Sequence, residues 1–257
     1  MYIADQLNHR IVKWNPGSQN GIIVAGGNEN GNNLNQLSFP YSVFTTPDGS
    51  LYVSDLGNNR IVKWLSNASS GAVVAGGNGS GQALNQLNAP NGFAIDTESG
   101  IYVSEGANSR ITKWPNGAED GILIAQNEMT NLPSELFLDS EDNIFLASNN
   151  AVVKFLKNQS FGTVVAGNNI QGSGLNQLDS PTGIFVDNNG DIYIVDQNNN
   201  RIMKWIMGAT EGVIVAGGNG KGNRLDQLSN PTDLWLDQLG NIYVSDTGNN
   251  RVVKWFK

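Results

Sequence analysis

The sequence has no cysteine and a single histidine, His9. The lack of cysteine excludes disulfide bonds, thiolate metal sites and cysteine nucleophiles. One histidine excludes a zinc site built from several histidines and argues against a catalytic triad with an imidazole base. No apolar run approaches the roughly 18–20 residues that span a bilayer. We therefore expect neither cysteine chemistry nor a membrane-spanning helix.

Charged residues are scarce, and most of them are acidic. They make up 15% of the 257 residues, and 23 acidic side chains against 15 basic ones give a formal charge of −8. A net acidic surface repels a phosphate backbone. Hydrophobic residues account for 39% of the chain, which is enough apolar material for a core and excludes a disordered chain.

One motif recurs through the whole chain. The segment LYVSDLGNNRIVKW has a series of copies, at 1–14, 51–64, 101–114, 192–205 and 242–255, with a degenerate copy at 144–155. Each copy ends in an aromatic residue. These aromatics are 50 residues apart, except for one step of 41 residues between Trp114 and Phe155. The chain is therefore a repeat protein, and the fold is determined by what one repeat forms.

Each repeat predicts four short strands. Residues 181–187, 192–195, 201–205 and 212–217 are rich in β-branched and aromatic residues, and the Asn-Asn-Gly sequence ending at Gly190 is typical of a hairpin turn. No segment has the 3.6-residue period of a long helix. Four strands per repeat, repeated radially, predict an all-β fold: a β-propeller with six blades of about four antiparallel strands.

The first and last blades are predicted to be incomplete, because blade one lacks an inner first strand and blade six lacks an outer fourth strand. Incomplete blades leave strand edges unpaired, and we expect that the chain can self-associate through them. We interpret the chain as a single propeller domain over residues 1–257. Its blades are expected at 1–39, 40–89, 90–132, 133–180, 181–230 and 231–257.

The repeats resemble a known family. The run Asp-x-x-Asn-x-Arg-[Ile/Val]-x-Lys follows Ile-Tyr-Val-Ser, and Pro-Thr-Gly-Ile-x-Val-Asp precedes it; both are similar to the NHL repeat. The resemblance covers essentially the whole chain and implies an NHL-type propeller. It also implies a platform for protein or RNA partners, although lactonase-like enzymes and an amidating lyase are among the relatives. That lyase relies on histidine ligands around zinc, which this sequence cannot supply.

The repeated Asp-x-x-Asn-x-Arg motif has a catalytic and a structural interpretation. Asp55, Asn58 and Arg60 have the chemistry to polarise a substrate, but a group present in most blades is more typical of a structural role, since an enzyme needs one site. We expect the acidic residue of each motif to pair with its arginine. Because 11 of the 15 basic residues lie at repeated positions, no clustered basic surface remains, and we expect no nucleic-acid partner.

Candidate site residues lie near the start of the inner strands, which line the central channel of a propeller. Ser42, Asn91, Glu135 and Asp233 are the candidate ligand-binding residues at the mouth of this channel. Glu135 and Asp233 are also the candidate ligands of a divalent cation such as calcium, as the resemblance to lactonase-like propellers implies. The alternative is two solvated carboxylates in a watery pore. No catalytic residue is assigned.

Two functions follow as hypotheses. The first is a non-enzymatic binding scaffold for a protein or glycan partner, with no cofactor. The alternative is a metal-dependent lactonase-like or lyase-like hydrolase with a cation in the channel. Three Asn-x-Ser triplets, beginning at Asn67, Asn78 and Asn158, are glycosylation acceptors in an exported protein. They favour an extracellular or cell-surface location if the chain is part of a longer protein.

Overall fold

The computed structural model describes residues 1–257, which form short β-strands joined by tight turns and loops. The only helical segments are four 3-10 turns of three residues each. No helix has the length and apolar character that a bilayer crossing requires. The strands form six antiparallel sheets of three or four strands, in chain order. This confirms the predicted all-β propeller with six blades, of which the first and last have three strands.

The chain divides into two compact units with three blades each. Unit 1 comprises Met1–Ala125 and unit 2 comprises Gln126–Lys257. The strands of unit 1 are β1 (Tyr2–Asp5), β2 (Arg10–Lys13) and β3 (Ile22–Gly26) in blade 1; β4 (Pro40–Thr45), β5 (Leu51–Asp55), β6 (Arg60–Trp64) and β7 (Ala72–Gly76) in blade 2; and β8 (Pro90–Ile95), β9 (Ile101–Glu105), β10 (Arg110–Trp114) and β11 (Ile122–Ala125) in blade 3.

Unit 2 has two blades of four strands followed by one blade of three. Its strands are β12 (Pro133–Leu138), β13 (Ile144–Ser148), β14 (Ala151–Phe155) and β15 (Gly162–Gly167) in blade 4; β16 (Pro181–Val186), β17 (Ile192–Asp196), β18 (Arg201–Trp205) and β19 (Val213–Gly217) in blade 5; and β20 (Asp233–Leu236), β21 (Ile242–Asp246) and β22 (Arg251–Trp255) in blade 6.

The inner strand of each four-stranded blade carries a β-bulge near its start. In blade 2 the register of β4 against β5 shifts between Pro40 and Val43, whereas β5 and β6 pair in continuous register up to Asp55 and Arg60. The same shift occurs in β8, β12 and β16. A bulge inserts one extra residue and redirects the local side chains. In β4, β8 and β12 the bulge spans the predicted site residues Ser42, Asn91 and Glu135, whereas β20, which carries Asp233, pairs with β21 without a shift.

Three of the aromatic residues that end the repeats, Trp64, Trp114 and Trp205, lie in the core between neighbouring blades of one unit. Trp64 is 1% exposed and packs with Ile11 of blade 1 and Leu51 of blade 2. Trp205 of blade 5 packs with Val152 of blade 4 in the same way. A buried aromatic side chain removes about 150–250 Å² from water. The regular spacing of these aromatics in the sequence therefore reflects the regular packing of the blades.

Candidate functional site

The connecting loop before blade 2 is fastened to that blade by one arginine. Arg60 Nε donates to Asp55 Oδ2 at 2.7 Å, and its Nη1 donates to the carbonyl oxygen of Asn32 at 2.8 Å. Its Nη2 lies 3.1 Å from the carbonyl oxygen of Asn33 and 3.2 Å from that of Gln36. One buried guanidinium therefore fixes three backbone carbonyls of the loop.

The carboxylate of the same motif holds the loop from the other side. Asp55 Oδ1 accepts the backbone N–H of Ser38 at 2.6 Å, while Oδ2 accepts from Asn58 as well as from Arg60. Asn58 also donates to the carbonyl oxygen of Gly31 at 2.9 Å. Asp55 is fully buried, and this desolvation raises its pKa despite the bonds from Asn58, Ser38 and Arg60. The motif is thus a structural clamp, as its repetition predicted.

The clamp recurs in three further blades, on Arg110, Arg201 and Arg251. We call the four loops that these arginines and Arg60 hold the clamped loops; they are residues 27–39, 77–89, 168–180 and 218–230. Blade 4 has Ala151 at the arginine position, and its Ser148 hydroxyl donates to the carbonyl oxygen of Asn131 instead. Arg10 of blade 1 donates only to Asp5.

Each clamped loop presents one exposed leucine, a feature that the sequence interpretation missed. These leucines are Leu34, Leu84, Leu175 and Leu225, between 43% and 79% exposed. The second leucine of each Leu-x-x-Leu pair, such as Leu37, is fully buried. Gln36 donates to the carbonyl oxygen of Asn28 and fills the space beside Gly31, where a Cβ atom would collide with it. The exposed leucine therefore projects from a well-fixed backbone; its chain neighbours are uncharged at Leu34, Leu84 and Leu175, whereas Leu225 lies between Arg224 and Asp226.

The structure places the four predicted ligand-binding residues on inner strands, in different units. Ser42 on β4 and Asn91 on β8 belong to unit 1. Glu135 on β12 and Asp233 on β20 belong to unit 2, where β16 packs against both strands. Glu135 and Asp233 thus occupy equivalent positions on inner strands that are separated by one strand. No group of three or more histidine, aspartate or glutamate side chains is placed to hold a metal ion.

Asp233 is the most perturbed carboxylate of unit 2. Water reaches its side chain, yet the surrounding protein desolvates the carboxylate and raises its pKa to about 6. The N–H of Leu234, which donates to Oδ1 at 2.8 Å, opposes this rise. No lysine or arginine forms an ion pair with Asp233. On the neighbouring β16, the buried Oγ1 of Thr182 has no hydrogen-bond partner.

A groove of about 510 Å³ lies between blades 4 and 5, at the turns that join β12 to β13 and β16 to β17. Its wall includes Phe137, Phe145 and Met207, and Lys154 lies over the Phe145 ring at 4.9 Å. The other blades have tyrosine at the position of Phe145. Phe145 is therefore the sequence feature that distinguishes blade 4 at this groove, and the sequence interpretation did not use it.

Three aromatic side chains form a row along the inner strands of unit 2. The ring centroids of Phe137 and Phe185 are 5.4 Å apart, and those of Phe185 and Trp235 are 5.1 Å apart with the rings nearly perpendicular. Trp235 is 60% exposed. Edge-to-face geometry of this kind is favourable between aromatic rings. The row fixes an exposed indole at the end of unit 2.

His9 has a structural role at the turn between β1 and β2. It lies in the left-handed region with a φ of 53°, as Asn59 does at the equivalent position of blade 2. Its Nδ1 accepts the backbone N–H of Phe39 at 3.1 Å, and the two rings meet edge to face at 4.7 Å. Asn59 makes the corresponding bond from Ala89 with its side-chain oxygen. His9 therefore performs the turn function that asparagine performs in other blades.

Two segments match the sequence profile of the NHL repeat, residues 178–205 and 228–255. The chain contains NHL repeats. Both matches begin at the buried leucine of a clamped loop and end at the aromatic residue of β18 or β22, so the NHL repeat contains the clamp motif of blades 5 and 6. No curated protein is detectably similar to the chain.

Solved structures share the propeller fold at low sequence identity. A Bacteroides thetaiotaomicron protein of unknown function has a TM-score of 0.73 and 17% identity; the match covers 98% of this chain and 65% of that one, so the NHL-repeat chain spans about two thirds of that protein. Virginiamycin B lyase from Staphylococcus aureus has a TM-score of 0.57 and 14% identity, and the match covers 100% of this chain and 80% of the lyase. A catalytically inactive histidine-to-alanine variant of that lyase, with quinupristin, has a TM-score of 0.59 and 15% identity, and the match covers 98% of this chain and 78% of the variant.

Proposed function

We propose that the chain is a non-enzymatic binding scaffold that recognises a protein or glycan partner through its clamped loops. The observation that supports this most is the repeated display of an exposed leucine on a fixed backbone, with uncharged polar neighbours in three of the four clamped loops. A surface ordered before binding loses little conformational entropy when a partner docks. Amide side chains donate to and accept from peptide groups and sugar hydroxyls alike.

The test compares two sets of exposed leucines. One variant combines Leu34→Ser, Leu84→Ser, Leu175→Ser and Leu225→Ser, all in clamped loops. The matched control combines Leu7→Ser, Leu65→Ser, Leu156→Ser and Leu239→Ser, which are also exposed but lie outside these loops. Ligands for the parent chain are first selected from a peptide-display library and from a glycan array.

We expect the clamped-loop variant to bind the selected ligands at least tenfold more weakly, and the control to bind them as the parent does. Thermal unfolding should be similar for all three proteins, because the substituted side chains are exposed. A peptide hit indicates a protein partner and an array hit a glycan. The proposal fails if the clamped-loop variant keeps the affinity of the parent for every selected ligand.

A second candidate function is a metal-dependent lactonase-like or lyase-like hydrolase, with a divalent cation such as calcium held by Glu135 and Asp233. Asp233 supports it, because this carboxylate is desolvated and has no cationic partner. Carboxylate and hydroxyl oxygens are suitable ligands for hard cations, and the Thr182 hydroxyl lies on the strand between the two. A bound cation would polarise a substrate carbonyl. A lyase that depends on histidine, like the S. aureus enzyme, is disfavoured because His9 is engaged with Phe39.

Thermal unfolding in EDTA, followed by addition of calcium, magnesium or zinc, tests the cation. A cation at about 100 times its dissociation constant stabilises a protein by about 2.7 kcal/mol, on the order of 5–10 °C in a domain of this size. We expect Glu135→Gln or Asp233→Asn to remove the shift, and cation-dependent hydrolysis of a lactone panel to disappear with it. An unfolding temperature that no cation changes would exclude this function.

A further inference from the structure

The turn between the inner and the second strand carries an aspartate in blades 3 to 6, and in three of these blades the aspartate pairs with the lysine of the third strand. The pairs are Asp96 with Lys113 at 2.7 Å, Asp139 with Lys154 at 3.5 Å and Asp237 with Lys254 at 3.4 Å. In blade 5 the lysine, Lys204, pairs instead with Asp191 at 2.8 Å. Asp187, the turn aspartate of blade 5, therefore has no cationic partner.

Asp191 is the reason for this difference. It follows Asp187 by four residues, at a position where the other turns have an uncharged residue: Ser50, Gly100, Asn143 and Asn241. Asp187 Oδ1 accepts the N–H groups of Asn189 and Asp191 at 2.9 and 3.0 Å. Its Oδ2 receives no hydrogen bond from the protein. One half of this carboxylate thus fixes the turn, and the other half is free to bind a ligand.

Asp187 lines the groove of about 510 Å³ between blades 4 and 5, which we call the blade 4–5 groove. Phe137, Phe145 and Met207 belong to its apolar wall. Phe145 has no hydroxyl, unlike the tyrosine at this position in every other blade. Met207 is 72% exposed, and the flexible thioether of methionine adapts to irregular shapes. The groove therefore combines an apolar wall with a free carboxylate oxygen.

The charged side chains that line the blade 4–5 groove do not balance. Lys154 pairs with Asp139, so these two charges offset each other. Glu141 accepts a hydrogen bond only from the amide of Asn143, at 3.2 Å, and neither Glu141 nor Asp187 forms an ion pair. Two carboxylates without a cation leave the groove acidic, and an acidic cleft attracts a cation.

We propose that the blade 4–5 groove binds a small organic amine. The ammonium group donates to Asp187 Oδ2 in a charge-assisted hydrogen bond, and the apolar body of the amine packs against Phe137, Phe145 and Met207. A volume of about 510 Å³ is typical of pockets that enclose a whole small molecule, and it is more than one lysine side chain fills. The groove shares no residue with the clamped loops, so the proposal stands independently of the function proposed above.

The probe is phenylbutylamine, added to the full chain with methyl-labelled methionine and followed by NMR. The chain has four methionines, and Met207→Leu assigns the methyl signal of Met207. We expect this signal to shift saturably with the amine, and the signal of Met129, which lies outside the groove, to stay in place. Phenylbutanol and phenylbutyrate carry the same body with a neutral and an anionic head, and each should bind at least tenfold more weakly.

Asp187→Asn is expected to weaken the binding of phenylbutylamine at least tenfold, because it removes the charge that the ammonium meets. Asp237→Asn is the matched control, since it makes the same change in the equivalent turn of blade 6, outside the groove, and should leave the affinity unchanged. Both variants keep the side-chain oxygen that accepts the N–H groups of the turn, so both should fold as the parent does.

Absence of a saturable shift of the Met207 signal with phenylbutylamine would overturn the proposal. Equal affinities for phenylbutylamine and phenylbutanol, or equal affinities of the parent and Asp187→Asn for the amine, would overturn it too. Acetyl-lysine amide offers the same ammonium group on a peptide side chain. Tighter binding of this compound than of phenylbutylamine would identify a lysine of a partner protein as the occupant and overturn the assignment to a small molecule.

Discussion

Gly183 and Asp233 lie on the neighbouring inner strands β16 and β20, so close together that no side chain fits at position 183. A Cβ atom on Gly183 would be 2.7 Å from both the Cα and the Oδ1 atom of Asp233. A contact with Cα cannot be relieved by a side-chain rotation. The glycine therefore sets the separation of β16 and β20 and keeps the carboxylate of Asp233 beside bare backbone.

Gly183→Ala is expected to destabilise the chain. The added methyl group forces β16 and β20 apart, and overpacking of this type costs about 1–3 kcal/mol. Urea denaturation of the variant and the parent measures the change in unfolding free energy. Gly174→Ala serves as the control for added side-chain volume, because its φ is not positive and a Cβ atom there would meet the flexible side-chain ends of Gln177 and Asn176, at 3.0 and 3.2 Å, rather than backbone. A loss in Gly183→Ala no larger than that in Gly174→Ala would contradict the close approach.

Thr182→Val is expected to stabilise the chain. The Oγ1 atom of Thr182 is buried and has no hydrogen-bond partner, and an unsatisfied buried polar group costs about 1–3 kcal/mol. Valine keeps the shape and removes that cost. Thr232→Val is the matched control, since Thr232 shares a 2.7 Å hydrogen bond with Thr247 and should gain nothing. Equal changes in the unfolding free energy of the two variants would contradict the assignment.

Asp233→Asn is expected to alter the pH dependence of stability. The folded-state pKa of Asp233 is about 6, above its ordinary value of 3.8. Between these values the unfolded chain releases a proton that the folded chain keeps, so the stability that this group contributes is complete below pH 3.8 and is lost as pH rises through 6. The variant lacks this loss. Its stability relative to the parent should therefore increase from pH 4 to pH 7 and then level off.

Urea denaturation at a series of pH values between 4 and 8 measures this difference. Asp226→Asn is a suitable control, because the exposed Arg224 lowers rather than raises the pKa of Asp226. A constant difference between Asp233→Asn and the parent over the whole range would show that Asp233 titrates normally.

The fold was predictable because it follows from local signals that recur. The run that ends at Trp64 specifies two strands and a turn, and five further copies leave only the propeller as a common packing solution. The pairing of Asp55 with Arg60 was predictable for the same reason, since residues present in most blades have a common task. The hydrogen bonds from Arg60 to the preceding loop were not predictable, because they end on backbone carbonyls, which every residue has.

Features that depend on exposure or on distances between blades were not predictable. Leu34 and Leu37 are chemically identical, and only the folded loop distinguishes the exposed one from the buried one. The raised pKa of Asp233 results from desolvation by surrounding protein, which periodicity does not encode. The lack of a cation beside Asp187 became apparent only when the ion pairs of its turn were compared with those of the equivalent turns.

Arg110→Gln is expected to destabilise the chain far more than the same change at Arg10. Glu105 is fully buried, and without Arg110 its charge keeps only neutral hydrogen-bond donors and loses its cationic partner, which costs about 3–5 kcal/mol. The side chains of Arg10 and Asp5 are 36% and 28% exposed, so water compensates for the loss and Arg10→Gln should cost about 1 kcal/mol or less. Adding Glu105→Gln to Arg110→Gln should recover part of the lost unfolding free energy, because it removes the uncompensated charge. A double-mutant cycle by urea denaturation gives the coupling free energy between Arg110 and Glu105. Equal destabilisation by Arg110→Gln and Arg10→Gln would contradict the prediction. It would show that the loop contacts of Arg110, which Arg10 lacks, add nothing to the unfolding free energy.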